Sequence, residues 1–354
     1  MLKAIQLARK GIGSTSPNPR VGAVVVKGGR KAGEGFHARA GGDHAEIIAL
    51  KQAGRRARGA TLYVTLEPCA HFGKTPPCVL AVLRSGVSRV VIAERDPNPV
   101  TKGRGVLALK RKGLRVTEGV LRAEAEELNR PFRKWVTTGL PYVTLKAAQS
   151  LDGKIASRGR DSKWITSEAS RRVGQFLRKA SDAVLVGIET VLADNPRLDV
   201  RVPVSKRPVK VVLDSRLRIP ADARLFRTPG RVLVATTSRS EPRKRRVLAN
   251  FCDVATVPSY GGRVDLKALL KELGRRGVLH VLVEGGGEVI GDFVDRRLAD
   301  EIFLFVAPVI IGGRAAPASV MGKGPASLNG ALKLKDVSFG RVGPDFIFYG
   351  KFTV

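Results

Sequence analysis

The chain has 354 residues, 43% of them hydrophobic and 27% charged, which is enough to bury a core and excludes a disordered or fibrous sequence. Its longest apolar run, 302–311, contains Pro308 and is half the roughly 20 residues that a membrane helix needs. Lys and Arg exceed Asp and Glu by 32, split evenly as +16 over residues 1–140 and +16 over 141–354. An excess spread in this way marks no nucleic-acid patch and favours acidic small molecules.

At about 150 residues per domain the length fits two domains. In chain order, a helix is expected over 2–10 and a strand over 21–26. After the Gly28-Gly29 turn a shorter strand follows at 33–36. Asp43 is placed to cap a helix over 44–53, and 61–66 reads as a strand. Pro76-Pro77 opens a helix to 84, since proline suits a first helical turn. Strand 89–93, helix 106–111, strand 114–117 and helix 123–136 complete a series whose alternation predicts a sheet covered on both faces.

Thr138-Gly139-Leu140-Pro141 breaks the pattern, dividing the chain into 1–140 and 141–354. The second series begins with strand 142–147 and a helix over 167–179 that Thr166 or Ser167 can cap. Strands at 183–187, 209–213 and 232–236 precede a helix at 265–275 and a strand at 279–283. The turn Glu284-Gly285-Gly286-Gly287 then leads into a helix over 289–298, and 301–311 and 345–352 read as closing strands. No internal repeat is visible, and the basic run 239–246 reads as a solvated loop or helix face. Residues 1–33 are basic and lack Asp and Glu, yet a strand at 21 begins too early to leave a removable leader.

Three cysteines cannot build a disulfide framework. Cys252 lies in an apolar stretch and reads as a buried core thiol. Cys69 and Cys78 lie near histidines, which points to metal or catalysis in a reducing, cytoplasmic setting. His44 with two cysteines gives three ligands to zinc and leaves a fourth position for water, the open geometry of a catalytic site. Zinc lowers the pKa of water towards about 7. Glu46, two residues from His44, is placed to shuttle protons. The His-x-Glu…Pro-Cys pattern is that of zinc-dependent nucleobase deaminases. Their usual second cysteine follows the first by three residues. Here the order is Cys69-Ala70-His71 with the second cysteine at Cys78, so His71 is a rival third ligand.

The strings Ser16-Pro17-Asn18-Pro19-Arg20-Val21-Gly22, His44-Ala45-Glu46 and Thr65-Leu66-Glu67-Pro68-Cys69-Ala70-His71-Phe72-Gly73-Lys74-Thr75-Pro76-Pro77-Cys78 resemble the bifunctional riboflavin-biosynthesis deaminase/reductase family, RibD. Asp96-Pro97-Asn98-Pro99 continues the likeness. The resemblance implies His44, Cys69 and Cys78 as zinc ligands and Glu46 as the catalytic group. It places Asn18, His37, His71 and Lys74 around a pyrimidine and its ribose phosphate. A point charge such as Lys74 suits a phosphate.

In the second half, strand 142–147 leads into Ser150-Leu151-Asp152-Gly153-Lys154, and Trp164-Ile165-Thr166-Ser167 precedes a helix start, where free N–H groups favour an anion. The glycine turn at 285–287 repeats that logic, although Gly285, Gly287 and Gly291 do not space as a dinucleotide fingerprint. These strings, with Val191-Leu192-Ala193-Asp194-Asn195-Pro196 and Leu213-Asp214-Ser215, resemble the C-terminal, dihydrofolate-reductase-like domain of the same family. The likeness then spans nearly the whole chain. It implies NADPH held by Ala148, Ser150, Trp164, Thr166, Thr190, Asp194, Ser215, Gly286 and Gly287, and substrate held by Ser162, Arg178, Leu198, Arg201 and Glu284. Lys146 and Asp194 are candidate proton or charge partners.

The fold class expected is α/β throughout: a cytidine-deaminase-like three-layer α/β/α domain over 1–140, then a reductase domain over 141–354. The implied reactions are deamination of 2,5-diamino-6-ribosylamino-4(3H)-pyrimidinone 5′-phosphate and reduction of its ribosyl side chain. The implied assembly is a homo-oligomer, dimer or tetramer, with no membrane and no nucleic-acid partner. Two other readings stand beside it: a base deaminase acting on RNA through a basic second domain, and a zinc-stabilised binding protein without catalysis.

Overall fold

A computed structural model describes residues 1–72 and 76–353. The chain divides into two compact units, Met1–Leu140 and Pro141–Val354.

In the first unit α1 (Leu2–Arg9) precedes the hairpin β1 (Gly22–Lys27) and β2 (Arg30–Phe36), then α2 (Ala45–Ala53) and β3 (Thr61–Leu66). α3 (Cys78–Arg84), β4 (Arg89–Glu94), α4 (Arg104–Arg111), β5 (Arg115–Glu118), α5 (Arg122–Leu128) and α6 (Arg130–Thr138) follow. The sheet order is β2-β1-β3-β4-β5, with β1 antiparallel to both neighbours and β3, β4 and β5 parallel. Alternation along β1 covers both faces. Ala23 and Val25 pack with Ala45, Ala49, Val79 and Leu109, while Val24 packs with Ala4 and Leu7 of α1.

Small residues decide how closely α2 lies on the sheet. A β-carbon on Gly33 would sit 2.2 Å from the Ala49 carbonyl oxygen, and one on Gly35 would sit 2.7 Å from that of Ala45. β2 therefore fixes the position of the first two turns of α2.

Two expectations need correction in this unit. Asp43 does not cap α2; His44 is the cap residue, without a side-chain cap bond, and Asp43 pairs with Lys51 at 2.7 Å. The expected helix over 123–136 is two helices, because Asn129 leaves helical geometry (φ −106°, ψ 17°) and spends its side chain elsewhere. Its Oδ1 accepts the Arg20 backbone N–H at 2.8 Å and its Nδ2 donates to the Arg20 carbonyl at 3.0 Å.

The second unit opens with β6 (Tyr142–Ser150), α7 (Glu168–Ala180), β7 (Ala183–Gly187), α8 (Ile188–Asp194), β8 (Val209–Leu213), β9 (Val232–Thr236), α9 (Pro242–Leu248) and β10 (Asp253–Thr256). A small hairpin, β11 (Ser259–Tyr260) and β12 (Arg263–Val264), precedes α10 (Leu266–Arg275), β13 (His280–Val283), α11 (Gly287–Asp295) and β14 (Glu301–Ala307). The unit closes with β15 (Leu334–Val342) and β16 (Asp345–Phe352). The sheet order is β10-β9-β8-β7-β13-β6-β14-β16-β15. Strands β10 to β14 in that order run parallel, and β16 and β15 add an antiparallel hairpin. Val184, Val186, Val212, Val234, Leu225 and Leu248 form a core on it.

Strand β14 stops at Ala307 and does not run to 311, because Pro308 cannot donate to a ladder. The basic run 239–246 is partly helical, as α9, with Pro242 in its first turn. Cys252 is only partly buried, at the rim of a core cluster, and its thiol donates to the Leu248 carbonyl at 3.4 Å. Burial pushes that thiol up to about 11, so it is an inert neutral group.

Gly33→Ala is expected to destabilise the first unit by about 1–3 kcal/mol through overpacking against α2. The check is a urea titration followed by hydrogen exchange in β1 and β2. A wild-type midpoint would show that α2 can lift off the sheet without cost.

Candidate functional site

The first unit brings its two histidine–cysteine segments together at the ends of three elements. His44 caps α2, Cys69 follows β3, and Cys78 is the first residue of α3. His44 Nδ1 lies 3.0 Å from Cys78 Sγ and 3.7 Å from Cys69 Sγ, and the three ligand atoms lie within 4.8 Å of one another. A tetrahedral zinc ion with bonds of about 2.0–2.3 Å needs donor atoms spaced in this way. The Cys78 backbone N–H donates to Cys69 Sγ at 3.3 Å, and the Val79 N–H to the Cys69 carbonyl at 3.2 Å. The start of α3 thus favours a thiolate at Cys69. Cys69 is held down to about 4, first by its contact with Cys78 and then by His44, while the contact with Cys69 and then burial push the Cys78 thiol up. One imidazole and two soft sulfur donors fit zinc.

His71 is exposed and stands outside this cluster, whose third member is Cys78. Glu46 is buried in the first turn of α2, and burial pushes its carboxyl up to about 7. His37 is buried with its ring 5.3 Å from that of His44, edge to face. Its ring nitrogens lie 3.1 Å from the Asp43 carbonyl and 3.1 Å from Asn18 Nδ2. Burial lowers its pKa, so it is neutral, with Nδ1–H donating to Asp43 and Nε2 accepting from Asn18. Asn18 is therefore held by its amide nitrogen, which leaves its oxygen available. Lys74 lies outside the described residues.

Around this cluster lie groups for which the sequence offered no role. Glu94 ends β4, buried, with one oxygen on Arg133 of α6 and the other without a partner among the described residues, and its carboxyl is pushed up to about 7 by burial. Glu67 stands two residues before Cys69 and takes three backbone N–H bonds. An acid closing an apolar strand was the available signal for both.

In the second unit the predicted residues collect where the parallel strands end. β6 ends at Ser150, β7 at Gly187, β8 at Leu213 and β13 at Val283, and this is the edge where open α/β sheets bind ligands. Ser150 donates to Asp152 Oδ1 at 2.6 Å, and Asp152 also accepts the N–H groups of Ile311 (3.0 Å) and Gly312 (2.7 Å). These bonds hold the Asp152 carboxyl down to about 2. Ala148, two residues earlier, pairs with Phe305 on β14. Ser162 donates to Asp194 Oδ1 at 2.8 Å. Ser167, not Thr166, caps α7 by accepting the Ser170 N–H at 3.4 Å. Thr166 is buried, and its carbonyl accepts Arg171, whose guanidinium lies 4.5 Å from the centre of the exposed Trp164 ring.

Arg178 makes a two-pronged bond to Glu284, 2.9 Å from Nε and 2.6 Å from Nη2, and donates to the Asp199 carbonyl at 3.0 Å. Lys146 lies close enough to both for their charges to act on it, and burial lowers its pKa. Arg201 is exposed, and among the described residues only its backbone N–H is engaged, by Gln175 Oε1 at 2.8 Å. Leu198 is buried at φ +49°, and Ser215 Oγ accepts the Val264 N–H at 3.1 Å.

The glycine turn divides its labour differently from expectation. A β-carbon on Gly287 would lie 2.1 Å from the Ala318 carbonyl oxygen, and one on Gly291 would lie 1.0 Å from that of Met321. Both glycines make room for backbone of the same unit. Gly286 alone faces open space, with Thr190 Oγ1 at 3.8 Å as its nearest neighbour, and that space suits a nucleotide approaching the start of α11.

The model of the RibD C-terminal domain matches residues 141–348, and that of the cytidine and deoxycytidylate deaminase zinc-binding region matches 1–94. The riboflavin biosynthesis protein RibD of Bacillus amyloliquefaciens is 46% identical over 98% of this chain and 93% of its own length. That of Aquifex aeolicus is 43% identical over 99% and 97%. Among solved structures, RibD of Acinetobacter baumannii superposes with a TM-score of 0.90 at 39% identity, covering 100% of this chain and 98% of that one. A diaminohydroxyphosphoribosylaminopyrimidine deaminase/5-amino-6-(5-phosphoribosylamino)uracil reductase from Thermotoga maritima gives 0.87 at 40% identity, covering 100% and 97%.

Cys78→Ser is expected to weaken zinc binding by more than the 10–100-fold that losing an outer partner brings. His71→Ala is expected to leave zinc content unchanged. Metal analysis of both variants after gel filtration checks the ligand set, and the opposite pattern would return His71 to it.

Proposed function

The chain belongs to the RibD family of bifunctional riboflavin-biosynthesis deaminase/reductases, and from that premise we propose how its own side chains divide the two reactions. The family joins a zinc-dependent deaminase half to an NADPH-dependent reductase half. We assign the first activity to residues 1–140 and the second to 141–354. The substrate pair is the one in the name of the Thermotoga relative. The deaminase then acts on 2,5-diamino-6-ribosylamino-4(3H)-pyrimidinone 5′-phosphate. The observation that carries the reading is the convergence of His44, Cys69 and Cys78 beside a buried Glu46.

When bound, zinc supplies a Lewis acid that lowers the pKa of water, and NADPH supplies a hydride. His44 Nδ1 and the Cys69 and Cys78 sulfurs hold the ion. Glu46 moves protons at its carboxylate oxygens: it takes one from the attacking water, gives one to the ring nitrogen, and passes one to the departing amine. Water enters, the carbon–amine bond at C2 breaks, and ammonia leaves. A carboxyl poised near neutrality by burial suits both directions of transfer. Asn18, fixed by His37, offers its oxygen to the pyrimidine edge, and His71 and Lys74 receive the ribose phosphate end.

In the second unit Ala148, Ser150, Trp164, Thr166, Thr190, Asp194, Ser215 and Gly286 line the nucleotide site, and Gly287 contributes its backbone at the start of α11. Ser162, Arg178, Leu198, Arg201 and Glu284 hold the substrate. Arg201 suits the phosphate because its guanidinium has no hydrogen-bond or ion-pair partner among the described residues, whereas Glu284 aligns Arg178. Hydride arrives at C1′, the bond from C1′ to the ring oxygen breaks, and that oxygen takes a proton. Lys146 Nζ is the donor proposed, since burial makes its ammonium a stronger acid. The Asp194 carboxylate orients Ser162. The assembly proposed is a homo-oligomer in the cytoplasm. Its support is the edge hairpin, where Val337, Phe339, Phe346 and Phe348 are exposed together.

Glu46→Gln is expected to cut ammonia release by about 10²–10⁴-fold. It should leave zinc content, and NADPH oxidation with supplied deaminated substrate, at wild-type levels. Wild-type protein that holds zinc but releases no ammonia would overturn the substrate assignment and bring the RNA reading forward. Phe339→Glu is expected to shift the mass from light scattering towards the monomer, and an unchanged mass would remove the hairpin from the interface.

A further inference from the structure

Glu67 is the only acid in the string that carries both cysteine ligands, and the deaminase reading gives it no chemistry. It follows β3 and is 5% exposed. Its own N–H donates to the Glu94 carbonyl at 2.9 Å, which continues the ladder between β3 and β4. Its carboxylate leaves the sheet. Oε2 accepts the backbone N–H groups of Asp96 at 3.1 Å and Gly103 at 2.9 Å, and Oε1 accepts that of Val106 at 3.0 Å. The donors are the two ends of one loop and the first turn of α4. Three N–H groups converging on two oxygens suit a carboxyl group, because an amide would turn hydrogens towards a donor.

The loop so held is stiff in itself. Asp96 Oδ1 accepts the Asn98 N–H at 2.9 Å, and Oδ2 accepts Thr101 Oγ1–H at 2.5 Å. Asp96 also lies near enough to His71 for that charge to act on its carboxyl. α4 also presses on the ligand turn directly: a β-carbon on Gly105 would sit 2.0 Å from the Pro68 carbonyl oxygen and 3.1 Å from Glu67 Cγ. The Gly105 backbone therefore lies against both the Glu67 side chain and the peptide leading into Cys69.

We propose that Glu67 is a positioning residue of the deaminase site: its carboxylate clamps residues 96–106 to the Pro68–Cys69 turn, fixing Cys69 within the ligand set and the Asp96 loop beside His71. It touches neither substrate nor metal and acts through Cys69. The proposal rests on the deaminase reading above.

The test uses the full-length, zinc-loaded protein with Glu67→Gln and, separately, Gly105→Ala, whose β-carbon pushes on the Pro68 carbonyl and on the Glu67 side chain while leaving the carboxyl group in place. Zinc release to a chelator is expected to quicken 10–100-fold in both, and deaminase kcat/KM to fall by a similar factor, the range for partners that orient metal ligands. Glu67→Asp, which keeps the charge, is expected to recover part of each. NADPH oxidation with deaminated substrate is expected to stay at wild type, and hydrogen-exchange protection to fall over 95–106 while β1 and β3 keep theirs. Wild-type zinc release and kinetics in Glu67→Gln would overturn the clamp. So would loss of protection throughout residues 1–140, which would make Glu67 a general anchor of the fold. A wild-type protein without deaminase activity would instead bring down the reading on which the clamp rests.

Discussion

A β-carbon on Gly35 cannot coexist with the Ala45 carbonyl oxygen 2.7 Å away, and the arrangement of the deaminase half follows from that contact. With α2 lying directly on β2, His44 and Glu46 are fixed by backbone packing before any ligand arrives. The reductase half uses the same device. α11 lies on residues 318–321 because Gly287 and Gly291 carry no side chain. That segment in turn holds the loop after β6, through Ile155 N–H to Pro317 and Ser319 N–H to Gly153. The candidate site side chains are thus carried on pieces whose own positions are set by main chain against main chain, where there is little room to adjust.

Carboxylates supply the second kind of constraint. Asp345, at the start of the last strand, accepts the Ser167 N–H at 2.8 Å, the Ser167 hydroxyl at 2.7 Å and the Ser170 hydroxyl at 2.5 Å, and so holds the start of α7 next to Thr166. Glu67 does the corresponding work for the ligand turn in the other unit. In a chain with twice as many basic as acidic residues, these buried acids satisfy backbone and hydroxyl donors and leave the surface excess untouched. Desolvating them costs free energy, and several converging hydrogen bonds offset it.

Much of this was legible in the sequence because it depends on short-range patterns. The ligand strings, the apolar strands β3, β4, β7 and β9, and the break before Pro141 all announce themselves locally. What could not be read was long-range. Asn129 looks like an ordinary helix residue until Arg20, 109 positions away, takes both ends of its amide. Asp43 looks like a cap until Lys51 competes for it. β15 has an exposed, irregular pattern with no clean alternation and becomes a strand only because β16 pairs with it. The glycines of α11 look like a phosphate turn, and the backbone that occupies their space lies 31 and 30 residues further on.

The paired bonds between Asn129 and Arg20 bear on how the halves of this chain could be taken apart. The deaminase signature ends at residue 94. The loop that presents Asn18, however, is pinned by a residue at 129, and the carboxylate that ends β4 is met by Arg133. A portable deaminase cut at the end of its signature would keep every ligand and lose the splints that hold them in shape. The compact unit extends through α6 to Leu140, so here the stretch that carries the signature and the stretch that braces it have different lengths.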